Sequence, residues 1–405
     1  MQHKIAIYVG TGSSHSWLWF VDVFEKASLY DLTFLDESEI HTSSLHHFDC
    51  LIVSGGDTFS IAQALGPRGA YLIHSFVDQG GTYIGSCAGA YLPMNSSKPH
   101  LNLFNFVPIK IANLSKFLPQ AHQMQHKFYV CYGCQYLFHP VRDEVRLKNL
   151  QLPSLDALSF TAPLYGGPSM IPSQDCQVLA SYEGFTEKTA FLVDRELARR
   201  TLDHKAAIVR VPYGKGEFYL FGPHVEHPGY PIANKILFDI LALKKDLKLS
   251  SEWKRQTPPV FKTRQLLTSL KRELSNSRII AVGLETNPMH WIIGEKSYEP
   301  AKIRVFLEAI WKRLASLEKH DSLLVDQREA ESLIASCLLA TRLLKLLKKN
   351  INNNQESYRL AKDVFSNLKY MSQLFFTIYF RTLHFSQKNT IMLQSGEEIE
   401  STQYT

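Results

Sequence analysis

The chain has 405 residues, 45% of them hydrophobic and 20% charged, which is an ordinary globular composition and excludes a disordered or fibrous chain. Its formal net charge of +6 permits an anionic partner without arguing for one, and no nucleic-acid partner is expected. No uncharged apolar run reaches the roughly 18 to 20 residues that cross a bilayer; Leu333 to Leu347 is interrupted by Arg342 and Lys345, so no transmembrane segment is expected.

The first half alternates strand-like and helix-like segments. Lys4 to Val9 reads as a buried strand ending at Gly10 and Gly12. The loop Gly10-Thr11-Gly12-Ser13-Ser14 comes next, a bare connection that could border a site or bind an anion. Trp17 to Leu29 has helical spacing, with Trp17, Phe20, Val21 and Phe24 on one stripe. Asp31 to Leu35 and Asp49 to Ser54 read as strands, the second stopped by Gly55-Gly56. Ile61 to Leu65 and Tyr71 to Val77 read as helix, broken at Gly66-Pro67, and Thr82 to Ser86 as a strand. This alternation, with apolar strands covered on both faces, predicts a doubly wound parallel α/β sheet.

From Phe128 to Phe221 the pattern becomes β-rich: Phe128 to Tyr132, Gln177 to Tyr182, Ala190 to Val193, Ala206 to Val211 and Glu217 to Phe221. Tyr213-Gly214-Lys215-Gly216 signals a hairpin turn, and Ile232 to Leu243 a closing helix. Residues 1–245 are therefore expected to form one α/β domain, 246–260 a linker rich in Lys and Pro, and 261–405 an α-helical C-terminal domain. Its helices are predicted over Lys262 to Leu274, Ala301 to Leu317, Arg328 to Lys349 and Glu356 to Leu383, with a short strand or hairpin within Ile279 to Trp291. The basic stretch Leu344 to Lys349 reads as a solvated helix face rather than a membrane contact, and the aromatic run Leu374 to Phe380 as packing.

Six cysteines in this length, and a start without the apolar core of a signal peptide, predict free thiols in a reducing, cytoplasmic setting. Cys131-Tyr132-Gly133-Cys134 lacks the second pair of a zinc site and lies on a strand-like run, so strand packing is the expectation. No metal or cofactor is expected.

One cysteine stands apart. Gly85-Ser86-Cys87-Ala88-Gly89 follows a strand and precedes helix-like sequence, the pattern of a nucleophile elbow. Small neighbours suit the tight turn, and the N-terminus of a following helix favours thiolate. A thiolate attacking a carbonyl needs oxyanion donors and an acid-base partner. The Ala88 N–H is one candidate donor; the second is the Gly56 or Gly55 N–H in Ser54-Gly55-Gly56-Asp57. His224 is the candidate base, at the end of a late strand, with Glu226 to orient it; His227 is the rival base. His15 and Asp57 are candidate pocket-rim groups.

These residues resemble the class I glutamine amidotransferase-like superfamily. More narrowly, Leu51 to Thr58 and Phe76 to Tyr91, which ends in Gly85-Ser86-Cys87-Ala88-Gly89-Ala90-Tyr91, resemble the amidotransferase-like N-terminal region of eukaryotic biotin–protein ligases and its stand-alone bacterial relatives. Tyr165-Gly166-Gly167-Pro168 looks like a family loop near the site. The resemblance spans roughly residues 1 to 245. It implies a flavodoxin-like sandwich and a Cys-His-Glu triad on Cys87, His224 and Glu226. Glutamine-hydrolysing members usually carry Gln where this chain has Tyr91, which makes Tyr91 a substrate-pocket candidate and argues against free glutamine as substrate. Ser54 and Val225 stand where many members have Pro. The ligase half has no counterpart here, so biotin ligation is not expected.

The expected function is a cysteine-dependent amide hydrolase or amidotransferase-like activity on a small-molecule or peptide amide. One alternative is a non-catalytic scaffold whose helical C-terminal domain binds a protein partner. A third reading is a cysteine peptidase-like enzyme on the same fold.

Overall fold

A computed structural model describes residues 3–42, 45–128, 135–153, 155–242, 260–320 and 322–395. They divide into two compact units. One gathers 3–27, 34–242 and 289–299; the other gathers 28–33, 260–288 and 300–395.

The chain opens by alternating strand and helix. Its first elements are β1 (Ile5–Tyr8), α1 (Trp17–Lys26), β2 (Leu32–Leu35), α2 (Glu37–Thr42), β3 (Cys50–Val53), α3 (Thr58–Asp78), β4 (Thr82–Ser86) and α4 (Ala88–Tyr91). β5 (Ile109–Ile111), α5 (Gln120–Phe128), β6 (Val141–Asn149), β7 (Ser159–Leu164), β8 (Met170–Pro172), β9 (Gln177–Phe191) and α6 (Arg195–Leu202) follow. β10 (Ala206–Tyr213), β11 (Gly216–Phe221) and α7 (Pro231–Ala242) come next.

One sheet runs in the order β2-β1-β3-β4-β11-β10-β9-β6-β7, with β5 and β8 attached beside β10. β1, β3, β4 and β11 are mutually parallel, and β10, β9, β6 and β7 continue antiparallel. This is the expected doubly wound, flavodoxin-like sheet with added β structure. Every residue of β1, β3, β4 and β11 is buried, as strands covered on both faces must be. The helix over α3 breaks where expected: Gly66 takes φ 56° and ψ −164°, and Pro67 restarts the next segment.

Several strands differ from the sequence reading. β9 is one strand where two are expected. Its polar centre, Glu183 to Lys188, resembles a turn but stays extended beside β6, with register shifts absorbing the irregularity. β6 itself, Val-Arg-Asp-Glu-Val-Arg-Leu-Lys-Asn, hides its pattern under charge: Val145 and Leu147 are buried while Arg146 and Lys148 turn outward. β7 and α6 likewise have no counterpart among the predicted elements. Phe128 closes helix α5 rather than opening a strand, and the CxxC cysteines lie outside the described residues, as does most of the expected linker.

Further along come β12 (Val260–Lys262), α8 (Thr263–Glu285), β13 (Trp291–Ile293), β14 (Lys296–Tyr298), α9 (Pro300–Leu317), β15 (Ser322–Leu324), α10 (Gln327–Asn352) and α11 (Tyr358–Ser395). The helix α8 outruns its expected end, so Ile279 to Glu285 is helical and the hairpin sits later, as β13 and β14. In the second unit, α8 packs on α9 and α10, and α11 packs on α9 and α10, closing a four-helix ring. Asp326 starts α10 with a reciprocal capping box to Glu329. Leu344 and Leu347 are buried and Lys345 is exposed, so the basic stretch is an amphipathic bundle face. Phe375, Phe376, Tyr379 and Phe380 are buried, and Arg313 lies over the Phe376 ring at 5.0 Å.

Candidate functional site

Three parallel strands end at one edge. The register pairs Val53 with Gly85 and Ser86 with Phe221. The segments leaving β3, β4 and β11 therefore emerge together: Ser54-Gly55-Gly56, Cys87-Ala88, and Gly222-Pro223-His224. The crevice beyond the carboxyl ends of parallel strands is where open α/β sheets bind ligands.

Cys87 sits at φ 51° and ψ −106°, a backbone region that non-glycine residues rarely occupy. Its N–H donates to the Phe221 carbonyl at 2.9 Å, which ties the elbow to β11. A Cβ on Gly89 would come within 1.9 Å of the Val53 oxygen, and one on Gly85 within 2.3 Å of the Gly89 oxygen. The small residues thus let the turn pass against β3 and against itself. The helix after Cys87 has only four residues, so its dipole contributes less than the sequence pattern suggests. Neighbouring side chains carry most of the electrostatics.

His224 is buried beside the elbow. Its N–H donates to the Pro163 carbonyl at 2.8 Å, and the Asn234 amide anchors the loop by donating to the Val225 and His227 carbonyls at 2.6 and 3.0 Å. The ring meets Trp19 edge-on at 5.1 Å and Tyr165 at 5.8 Å. Its Nδ1 lies 2.6 Å from Oε1 of Glu226, a carboxylate with no solvent exposure. The Cys87 thiol donates to the Tyr165 carbonyl at 3.7 Å, and the same imidazole acts on it electrostatically. Burial raises the thiol's pKa, but His224, helped by the charge of Lys296, outweighs it and leaves Cys87 below its ordinary value. Burial pushes His224 down, while Glu226 and Cys87 push it further up, to about 9. The pair favours thiolate and imidazolium.

Ser86, which no sequence pattern singles out, completes this arrangement. Its hydroxyl lies within hydrogen-bond reach of both Glu226 oxygens, at 2.9 and 3.0 Å, and donates to them. The residue before Cys87 thus orients the carboxylate that orients the imidazole. His227 lies against Trp19 at 4.6 Å, its Nδ1 accepts from the Gly229 N–H at 3.1 Å, and burial and the charge of His224 lower its pKa.

The Gly-Gly turn is held from one side. The Gly55 carbonyl accepts from the Ser14 N–H, the Ser14 hydroxyl and the Ser16 hydroxyl at 2.9, 2.9 and 3.2 Å. In a trans peptide the next N–H points opposite to that carbonyl, so the Gly56 amide faces away from these donors. The Gly10 to Ser14 loop borders the site in this way, and the Gly12 carbonyl also accepts the Asp57 N–H at 2.8 Å. His15 packs edge-on against Trp19 at 5.3 Å.

A cavity of about 40 Å³ opens between Gly56, Cys87, Ala88, Tyr91, Tyr165 and Lys296, room for only a few water-sized groups. Tyr91 is fixed at its wall: its hydroxyl donates to the Gly166 carbonyl at 3.2 Å and accepts from the Asn113 amide at 2.8 Å. Asp57 lines the cavity too, but its carboxylate is occupied. It accepts from the Phe59 and Ser60 N–H groups, the Ser60 hydroxyl and the Glu295 N–H. Lys296 and Trp19 are site residues that the sequence alone does not flag. No motif marks Lys296, which reaches the site from a distant hairpin. Trp19 lies within a helix whose apolar stripe reads as core.

Among the described residues no group of three or more His, Cys, Asp or Glu could hold a metal ion. None of the helices among those residues is long and apolar enough to cross a membrane.

Residues 3–100 match the family described as biotin-protein ligase, N terminal. No curated protein matches. Among solved structures, a GMP synthase subunit protein from Thermoplasma acidophilum is similar at 12% identity and TM-score 0.37, over 60% of this chain and 95% of that one. A glutamine amidotransferase from Thermotoga maritima is similar at 12% identity and TM-score 0.35, over 61% of this chain and 87% of that one. A β-galactosidase from Bacillus circulans sp. alkalophilus is similar at 14% identity and TM-score 0.35, over 64% of this chain; the likeness spans only 33% of the galactosidase. The family match reaches Gly56 and Cys87, and His224 lies beyond it on the same doubly wound sheet.

Proposed function

We propose that this protein is a cysteine-dependent amide hydrolase or amidotransferase-like enzyme in which Cys87 is the nucleophile, His224 the acid-base group and Glu226 its orienting carboxylate. One observation carries the reading: a buried His224–Glu226 pair at 2.6 Å beside the elbow, whose imidazole lowers the pKa of the Cys87 thiol. In this scheme the Cys87 sulfur attacks the amide carbonyl, and the oxyanion is held by the N–H groups of Gly56 and Ala88. His224 gives its proton to the leaving nitrogen, the C–N bond breaks and a thioester remains. Water then attacks the thioester carbon while His224 takes its proton. The C–S bond breaks, and the acid leaves with the thiolate restored. An amine in place of that water would complete a transfer.

The fixed Tyr91 wall, at the position where glutamine-hydrolysing relatives usually carry Gln, supports an amide other than free glutamine. The test is an electrophilic thiol probe at neutral pH. Wild type is expected to label at Cys87, and Cys87→Ala to lose that labelling. Equal labelling of the two proteins would remove the activated thiolate and with it this function.

A further inference from the structure

Lys296 makes and breaks no bond in the scheme above, yet it lines the same cavity as Cys87. It comes from the hairpin of β13 and β14, more than two hundred residues downstream of the elbow. The hairpin's position is fixed by its backbone. Its Glu295 N–H donates to Asp57 Oδ2 at 2.8 Å. At Gly294, with φ 64°, a Cβ would fall 2.3 Å from that same oxygen and 2.8 Å from the Ser60 hydroxyl. Only glycine allows so close an approach in that conformation. Asp57 in turn caps helix α3 and directly follows the Gly-Gly turn. One carboxylate therefore ties together the start of α3, beside the candidate oxyanion turn, and the hairpin that carries the lysine.

The charges around Lys296 leave room for an incoming anion. Asp57 spends both oxygens on four donors. Glu295 lines the cavity, Glu299 and Asp57 act on the ammonium from a distance, and Arg142 opposes them. Burial leaves the lysine's pKa below its ordinary value, with Cys87, Asp57 and Glu299 drawing it only partly back up. A cation kept beside a nucleophile in a cavity of this size can hold a carboxylate next to a scissile bond, where a long-range surface charge would be screened.

We propose that Lys296 is the specificity-determining residue of this site, and that it selects amides bearing a carboxylate close to the carbonyl that Cys87 attacks. The proposal rests on the reading of Cys87 as nucleophile. The measurement that separates the two compares alkylation of Cys87 by iodoacetate and by iodoacetamide, which differ in charge and little in size. In wild type the iodoacetate-to-iodoacetamide rate ratio at Cys87 is expected to exceed that of free cysteine by about tenfold, the scale of one nearby partly screened charge. Lys296→Met is expected to lower the ratio severalfold toward the free-cysteine value, leaving only the share due to the His224 imidazolium, and Lys296→Arg to retain it. Lys296→Gln provides the same comparison should the Met variant fail to fold.

A lysine that only steadied the thiolate would change both rates alike and leave the ratio unmoved. That result, or a wild-type ratio no higher than that of free cysteine, overturns the proposal while leaving the nucleophile in place. Failure of both reagents to modify Cys87 overturns the nucleophile reading, and this proposal with it.

Discussion

Cys87 and Cys337 are both buried thiols, yet their surroundings drive them in opposite directions. Cys337 lies on α10, 3.4 Å from the Met371 sulfur, and burial, aided by the charge of Glu273, pushes its pKa up to about 12. Cys87 is also buried and is lowered instead. The difference is not accessibility. A protonatable ring and an ammonium face Cys87, while a thioether and a carboxylate face Cys337. Burial acts in the same direction in both places, and only the elbow offers cations to overcome it.

The sharpest way to break this contrast is to remove the ring's charge and keep its bulk. His224→Gln retains an amide that can donate to Glu226 but offers no cation. The Cys87 thiol should then behave like Cys337. Its labelling by iodoacetamide at neutral pH should fall by about 10²-fold or more, because each pKa unit of rise removes about tenfold of the thiolate. Mass-spectrometric labelling of both cysteines checks this, with Cys337 silent in either protein. Labelling of Cys87 at the wild-type rate would mean that His224 does not control the thiol.

A second measurement tests the upper limit of the reactive state. Glu226 holds protonated His224 up to about 9 against the ordinary 6.5. His224 gains a proton on folding, so the stabilisation is fully present below about 6.5 and is lost as pH rises through about 9. Glu226→Gln removes the carboxylate charge and leaves burial to pull the imidazole down. The melting-temperature gap between wild type and Glu226→Gln should be widest at and below pH 6.5 and close above 9. The state with thiolate and imidazolium together should end at a lower pH in the variant. A gap independent of pH would show that Glu226 acts through packing alone.

Much of this contrast is legible in the residues. The elbow declares itself because a strand, small residues and a cysteine fall in fixed order. Gly55-Gly56 and His224-Val225-Glu226 each come directly after an apolar run, and parallel strands deliver their C-terminal loops to one edge. The residues that escape depend on distances that sequence does not carry. Ser86 is the free position of Gly-x-Cys, and only folding shows its hydroxyl on Glu226. Lys296 lies in a hairpin between two long helices, in a stretch with no motif. In β6 the alternation is masked because outward-facing positions are charged and a bulge shifts the register. The helix dipole is overrated by sequence because a helix pattern after the elbow does not reveal that α4 is a single turn.

The smallest effect concerns the elbow's backbone rather than its chemistry. Cys87 occupies φ 51° and ψ −106°, while Cys337 lies within the regular helix α10. A non-glycine residue held in a rarely populated region costs about 1–3 kcal/mol. Cys87→Gly relieves that cost, and Cys87→Ala does not. Part of the relief is lost to glycine's larger chain entropy when unfolded, about 0.5–1 kcal/mol. Cys87→Gly should therefore be more stable than Cys87→Ala by about 1 kcal/mol in denaturant unfolding, the difference of those two terms, with neither variant labelling at position 87. At Cys337 the order should reverse, because glycine in a helix interior is about 1 kcal/mol worse than alanine. Opposite signs at the two cysteines would show that the fold stores strain at the elbow to present its thiol. The same sign at both would mean that the elbow geometry costs the protein nothing.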